Sequence, residues 1–133
     1  MYLIDTNIFL ELLLNGKNAK ECEKFLEKVS KGEIKAIVSS FTLHAVEAFL
    51  GKNHKAIQLF VRNILNSEGL KVYSTTLEEE LEASVIAEKI GLDFDDGLQY
   101  FIAKKLQVKA IVSFDRHFDK TDLKKVTPKQ VIE

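Results

Sequence analysis

The sequence predicts an α/β protein, a three-layer α/β/α sandwich around a mostly parallel central sheet of four to five strands. Three observations carry this. Short apolar runs such as Leu3-Ile4, Ala36-Ile37-Val38 and Ala110-Ile111-Val112 read as strands buried on both faces. Between them lie stretches whose apolar residues recur at i, i+3, i+4 and i+7, the spacing of helices with one buried stripe. Cap and breaker residues punctuate the junctions.

Taken in order, Tyr2-Leu3-Ile4 is the first strand, and Asp5 stands where it ends. Ile8, Phe9 and Leu12 place a helix over about Thr6 to Leu14, which Asn15-Gly16 breaks. Asn18-x-x-Glu21 has the form of a capping box opening a second helix, with Cys22, Phe25, Leu26 and Val29 inward and Gly32 as its stop. Ala36 to Ser39 is the second strand, and Ser40 is the expected N-cap of a helix over Phe41 to Leu50. A further helix follows Gly51 with Ile57, Phe60, Val61 and Ile64 on one face. Leu70 to Tyr73 is the third strand, and Thr76-Leu77-Glu78-Glu79 is a capping box for a helix running to about Ile90, ended by Gly91. Leu92 to Gly97 reads as an acidic turn before a helix carrying Leu98, Phe101, Ile102 and Leu106. The fourth strand, Ala110 to Ser113, leads to Asp115, and a last short strand near Lys125 to Thr127 stops at Pro128.

Composition narrows the function. A chain of 133 residues, 46% hydrophobic and 29% charged, suits one globular domain over residues 1–133. The formal net charge of −1 excludes a global basic footprint for nucleic acid. No apolar run approaches the ~20 residues of a membrane span, so no membrane partner is expected. Cys22 is the one cysteine and has no disulfide partner within the chain. That fits a reducing cytoplasm, as does the lack of a basic leader at the start.

The chemistry lies in the acids. Asp5 ends strand one, Asp115 follows strand four, and Asp96 lies at the start of the helix before strand four. Open α/β sheets build their sites at the carboxyl ends of the strands, so these three are expected to converge. Glu47 joins them as an acid on the apolar stripe of Leu43, Val46 and Leu50. Each has a plain alternative: capping for Asp96 or Asp95, a turn for Asp115, snorkelling to the stripe's rim for Glu47. Together they are harder to explain so. Two carboxylates about 4 Å apart repel by roughly 4 kcal/mol at an effective dielectric near 20, and four cannot stay ionised without a cation. A donor set of oxygens selects a hard ion, Mg²⁺ or Mn²⁺. Ions held this way hydrolyse phosphodiesters.

These residues carry a resemblance. Leu3-Ile4-Asp5-Thr6-Asn7, Asp96-Gly97-Leu98 with Ala103, and Ile111-Val112-Ser113-Phe114-Asp115 resemble the motifs of PIN-domain ribonucleases, the fold of VapC-type toxins of toxin–antitoxin pairs. The resemblance covers essentially the whole chain. It implies that Asp5, Glu47, Asp96 and Asp115 are the catalytic, metal-holding acids, with Glu47 as the loosest match: counted from Ser40, its spacing is one residue longer than usual. Ser113 stands where the family usually has Thr, and Gly97 where it usually has Ala. The resemblance further implies cleavage of RNA with 5′-phosphate and 3′-hydroxyl ends, an antitoxin partner that blocks the site, and a homodimer.

Around the four acids, Asn7 is placed to support Asp5, and Asp93, Asp95 and Asp119 are further acids near the site. Arg116 is placed to meet a substrate phosphate. Three other readings share parts of the pattern. An aspartyl-phosphate phosphotransferase also uses an acid after strand one, but wants a second acid where Asn7 stands. A receiver-like domain also clusters acids about Mg²⁺, but near strand one rather than at Asp95-Asp96. A catalytically silent PIN-like scaffold would keep the fold without needing the acids.

Overall fold

The computed structural model describes residues Met1–Glu133. Five strands, β1 (Tyr2–Ile4), β2 (Ala36–Ser39), β3 (Leu70–Tyr73), β4 (Ala110–Val112) and β5 (Lys125–Val126), form one sheet in the order β3-β2-β1-β4-β5. Every pairing is parallel. Seven helices accompany them: α1 (Thr6–Leu13), α2 (Ala19–Ser30), α3 (Ser40–Leu50), α4 (His54–Leu65), α5 (Leu77–Ile90), α6 (Phe94–Lys105) and α7 (Pro128–Ile132). A 3-10 turn spans Arg116–Lys120.

The sheet divides the core in two because successive strand residues point to opposite faces. Ile4, Ala36, Val38 and Val112 pack with Ile8, Phe25 and Val29 of α1 and α2 and Val46 of α3. Leu3, Ile37 and Ile111 pack with Ala83 of α5 and Leu98, Phe101 and Ile102 of α6. The central strand β1 is paired on one side with β2 and on the other with β4. The chain leaves β1 for β2 and β3, then returns to add β4 and β5 beyond it. The crevice between the carboxyl ends of β1 and β4 is therefore a topological switch point, where sheets of this kind bind ligands.

Local chemistry explains most boundaries and corrects four expectations. Thr76 and Glu79 form the expected capping box at α5, and Gly91 ends it in the left-handed conformation at φ 74°. At α3 the cap is Ser39, not Ser40: the Ser39 hydroxyl accepts from the Thr42 N–H at 3.0 Å. Asn18 caps nothing with its side chain; its N–H donates to Glu11 Oε2 at 2.9 Å instead. The acidic segment is not a turn before a helix. Asp93 caps α6 by accepting from the Asp96 N–H at 2.9 Å, so Asp95 and Asp96 already lie in its first turn. Pro128 does not merely stop the last strand: it opens α7, with Thr127 and Gln130 as a capping box around it.

Helices α5 and α6 meet at Gly97. A Cβ there would lie 2.4 Å from the Ala87 Cβ and 3.4 Å from the Ala83 carbonyl oxygen. Gly97→Ala is therefore expected to push the two helices apart and cost about 1–3 kcal/mol. Thermal melts should show a fall of several degrees, and an unchanged melting temperature would mean the helices can separate freely.

Candidate active site

Asp5 is the best-anchored acid. It is 4% exposed and caps α1, and its N–H pairs with the Val112 carbonyl across the β1–β4 junction. Its Oδ1 accepts from the Thr6 N–H at 2.8 Å, and the Gln99 amide lies 3.5 Å away. Its Oδ2 accepts from the Ser113 hydroxyl at 2.6 Å and from Asn7 Nδ2 at 3.3 Å. Asn7 also reaches Ser113 Oγ at 3.2 Å and accepts from the Phe114 N–H, so it ties α1 to the end of β4. Ser113 Oγ in turn accepts from the Asp115 N–H at 2.9 Å. Thus one hydroxyl links the acid after β1 to the acid after β4.

Asp96 and Asp115 face each other across His117. The His117 Nδ1 lies 2.9 Å from Asp96 Oδ2 and 3.2 Å from Asp115 Oδ1. The hydrogen bond to Asp96, reinforced by the charge of Asp115, holds the imidazole above its usual pKa. One donor atom from each of the three residues fits within a 4.8 Å cluster.

The charges of Asp95 and Asp96 reach Asp5, and that of Asp115 reaches Asp95 and Asp96. Burial pushes the Asp5 carboxyl up to about 6, with the charges of Asp95 and Asp96 adding to the rise. Asp96 is likewise pushed up to about 6, first by burial, then by Asp115, Asp93 and Asp95. Asp95 is raised by its own burial and by Asp93 and Asp115. Its Oδ1 is buried without a hydrogen-bond partner.

The other expected residues are placed as follows. Glu47 is half-buried on α3 and, like Asp5, lies outside the group formed by Asp96, Asp115 and His117. Asp93 is exposed at the α6 cap. Asp119 pairs with Lys125 at 3.0 Å. Arg116 is exposed at the start of the 3-10 turn, directly after Asp115. A cation fits these donors: carboxylate oxygens with raised pKa values, one of them an orphaned buried oxygen, suit a hard divalent ion.

Sequence reasoning missed three residues. His117 was visible only as a histidine near an acid. Gln99 is 1% exposed, and its Nε2 donates to Thr42 Oγ1 at 2.8 Å besides approaching Asp5. Thr42 Oγ1 also meets Thr6 Oγ1 at 2.9 Å. A signal for Gln99 existed: it is a polar residue on the inward stripe of Leu98, Phe101 and Ile102, three and four positions after Asp96 and Asp95.

The strand order separates this chain from the receiver-type rival, whose sheet runs 2-1-3-4-5. Comparison with known proteins agrees. The model of the PIN domain family matches residues 2–124. A VapC ribonuclease of Aquifex aeolicus (strain VF5) is 31% identical over 134 residues, covering 96% of this chain and 97% of that relative. The toxin–antitoxin complex from Klebsiella pneumoniae superposes with a TM-score of 0.73 at 18% identity, covering 96% of this chain and 98% of that one. VapC20 of Mycobacterium tuberculosis, a sarcin–ricin loop cleaving toxin, gives 0.75 at 16% identity, covering 96% and 100%.

Proposed function

Since the chain belongs to the PIN-domain family, we propose that it is a metal-dependent endoribonuclease, the toxin of a type II toxin–antitoxin pair. The observation that carries this reading is the cluster of acids, with Asp5 and Asp96 buried, at the switch point between β1 and β4. We assign the ion to Asp5, Asp96 and Asp115, with Glu47 as the fourth acid and Mg²⁺ or Mn²⁺ as the ion. When bound, such an ion polarises the phosphodiester and makes an attacking water more acidic. The chain's own residues do the rest. Ser113 and Asn7 fix one oxygen of Asp5, and the Thr6 N–H and Gln99 flank the other. Asp95 Oδ1, buried and unpaired, is a further oxygen whose charge acts on both Asp5 and Asp96. Arg116 follows Asp115 and meets the phosphate.

The same reading supplies an RNA substrate, an antitoxin that covers the acids, a homodimer, and a cytoplasmic setting. No helix is long and apolar enough to cross a membrane. The test is a panel of single-stranded, hairpin and duplex RNAs incubated with the purified protein in Mg²⁺, in Mn²⁺ and in EDTA. Cleavage that leaves 5′-phosphate ends and stops in EDTA is expected. No cleavage of any RNA, or equal cleavage in EDTA, would overturn the reading.

A further inference from the structure

Three phenylalanines are exposed, Phe41, Phe49 and Phe94, and two of them, Phe41 and Phe94, pair with each other. Phe41 and Phe94 are 37% and 39% exposed, whereas Phe9, Phe25, Phe101 and Phe118 are buried. They touch each other edge to face, with ring centroids 6.2 Å apart and planes at 76°. Phe94 is the first residue of α6, directly before Asp95 and Asp96. Phe41 lies in the first turn of α3, directly before Thr42. Thr42 accepts from Gln99 of α6, whose amide also approaches Asp5, so the start of α3 is tied to α6 at the site. The aromatic pair is therefore flanked by residues of the site: Asp95 and Asp96 directly after Phe94, and Thr42 directly after Phe41.

Electrostatics say what such a pair is for. The chain has a net charge of −1, and its site is lined by Asp5, Asp95, Asp96 and Asp115. A polyanion approaching it gains little from long-range attraction, so contacts to its phosphates cannot supply most of the affinity. Aromatic faces bind nucleobases without needing charge, and every base has a face to offer. An edge-to-face pair leaves ring faces open to solvent, which a flat guest can cover.

We propose that Phe41 and Phe94 form a stacking platform that receives an unpaired nucleobase of the RNA next to the bond to be cut. This rests on the endoribonuclease reading and adds the substrate feature that the site selects. A base held in a duplex stack cannot reach the rings without being splayed out.

The probe is a short single-stranded RNA carrying 2-aminopurine, whose fluorescence is quenched by stacking. It is titrated with protein in Ca²⁺, with the RNA checked on a gel to remain intact. Wild type is expected to quench the probe and to bind it at least about tenfold more tightly than the same sequence in a duplex. Phe41→Ala and Phe94→Ala are each expected to weaken binding about tenfold and to remove most of the quench. Phe94→Tyr, which keeps the ring, should retain both. Circular dichroism melts confirm that the variants fold. A folded Phe41→Ala/Phe94→Ala double variant that binds and quenches like wild type would overturn the proposal while leaving the nuclease reading intact. So would unchanged RNA binding with a shift from dimer to monomer in sedimentation, because the pair would then be a protein interface. Wild type that neither binds nor cuts any RNA would overturn both readings.

Discussion

Asp5→Asn is expected to lower RNA cleavage by about a thousandfold or more while leaving the protein folded. The substitution keeps the shape, and the amide oxygen can still accept from the Thr6 N–H that fixes the start of α1. It removes the negative charge. One unit of charge about 4 Å from a cation contributes roughly 4 kcal/mol at an effective dielectric near 20, which corresponds to about a thousandfold in rate. The loss should appear in metal binding as well as in turnover. Calorimetric titration with Mn²⁺ gives that second readout without any RNA present. Cleavage equal to wild type by folded Asp5→Asn would remove Asp5 from the site.

The second large effect is a dependence of metal binding on pH. Burial lifts Asp5 and Asp96 from the usual 3.8 to about 6, and a cation must displace the protons they hold below that value. Between pH 7 and pH 5 each carboxyl passes from mostly ionised to mostly protonated, about tenfold in apparent affinity per group. Together they predict a fall of about a hundredfold, measured by Mn²⁺ titration at pH 5, 6 and 7. A flat profile would show that these two acids do not hold the ion.

The same shifts act on stability with the opposite sense to a salt-bridged acid. The folded, metal-free state keeps protons that the unfolded chain has already released, so stability falls as pH rises from about 4 to about 6. Above that the deficit is complete, and an ion relieves it. Chelation should therefore lower the melting temperature more at pH 7 than at pH 5.

Most of the architecture was legible because burial patterns are local. The runs that became β1, β2 and β4 are apolar on both faces, and the helices between them show their stripes. The errors lie where two residues compete for one role. Ser39 and Ser40 are adjacent hydroxyls, and only the backbone decides which caps α3. Asp93, Asp95 and Asp96 are three acids in four positions, and the cap at Asp93 pulled the other two inside the helix. Thr127-Pro128 carried a helix-start signal that the preceding strand obscured.

Asp5, Asp96 and Asp115 could be singled out because strand ends and helix starts define where side chains gather. Gln99 was visible only as a polar residue on an inward stripe and Thr42 not at all, since their partnership spans 57 positions. His117 likewise acquires its role only when Asp96 and Asp115 flank it.

The bond from Ser113 to Asp5 joins residues 108 positions apart. Such a contact closes late, after β4 has paired with β1, because long loops delay the pairings they separate. During synthesis, which proceeds from the amino end, Asp5 emerges early but stays without its partners until Ser113 and Asp115 have left the ribosome. On the proposed reading, a nascent chain of this protein carries an unfinished site beside the RNA that surrounds it, and completion of the fold assembles it.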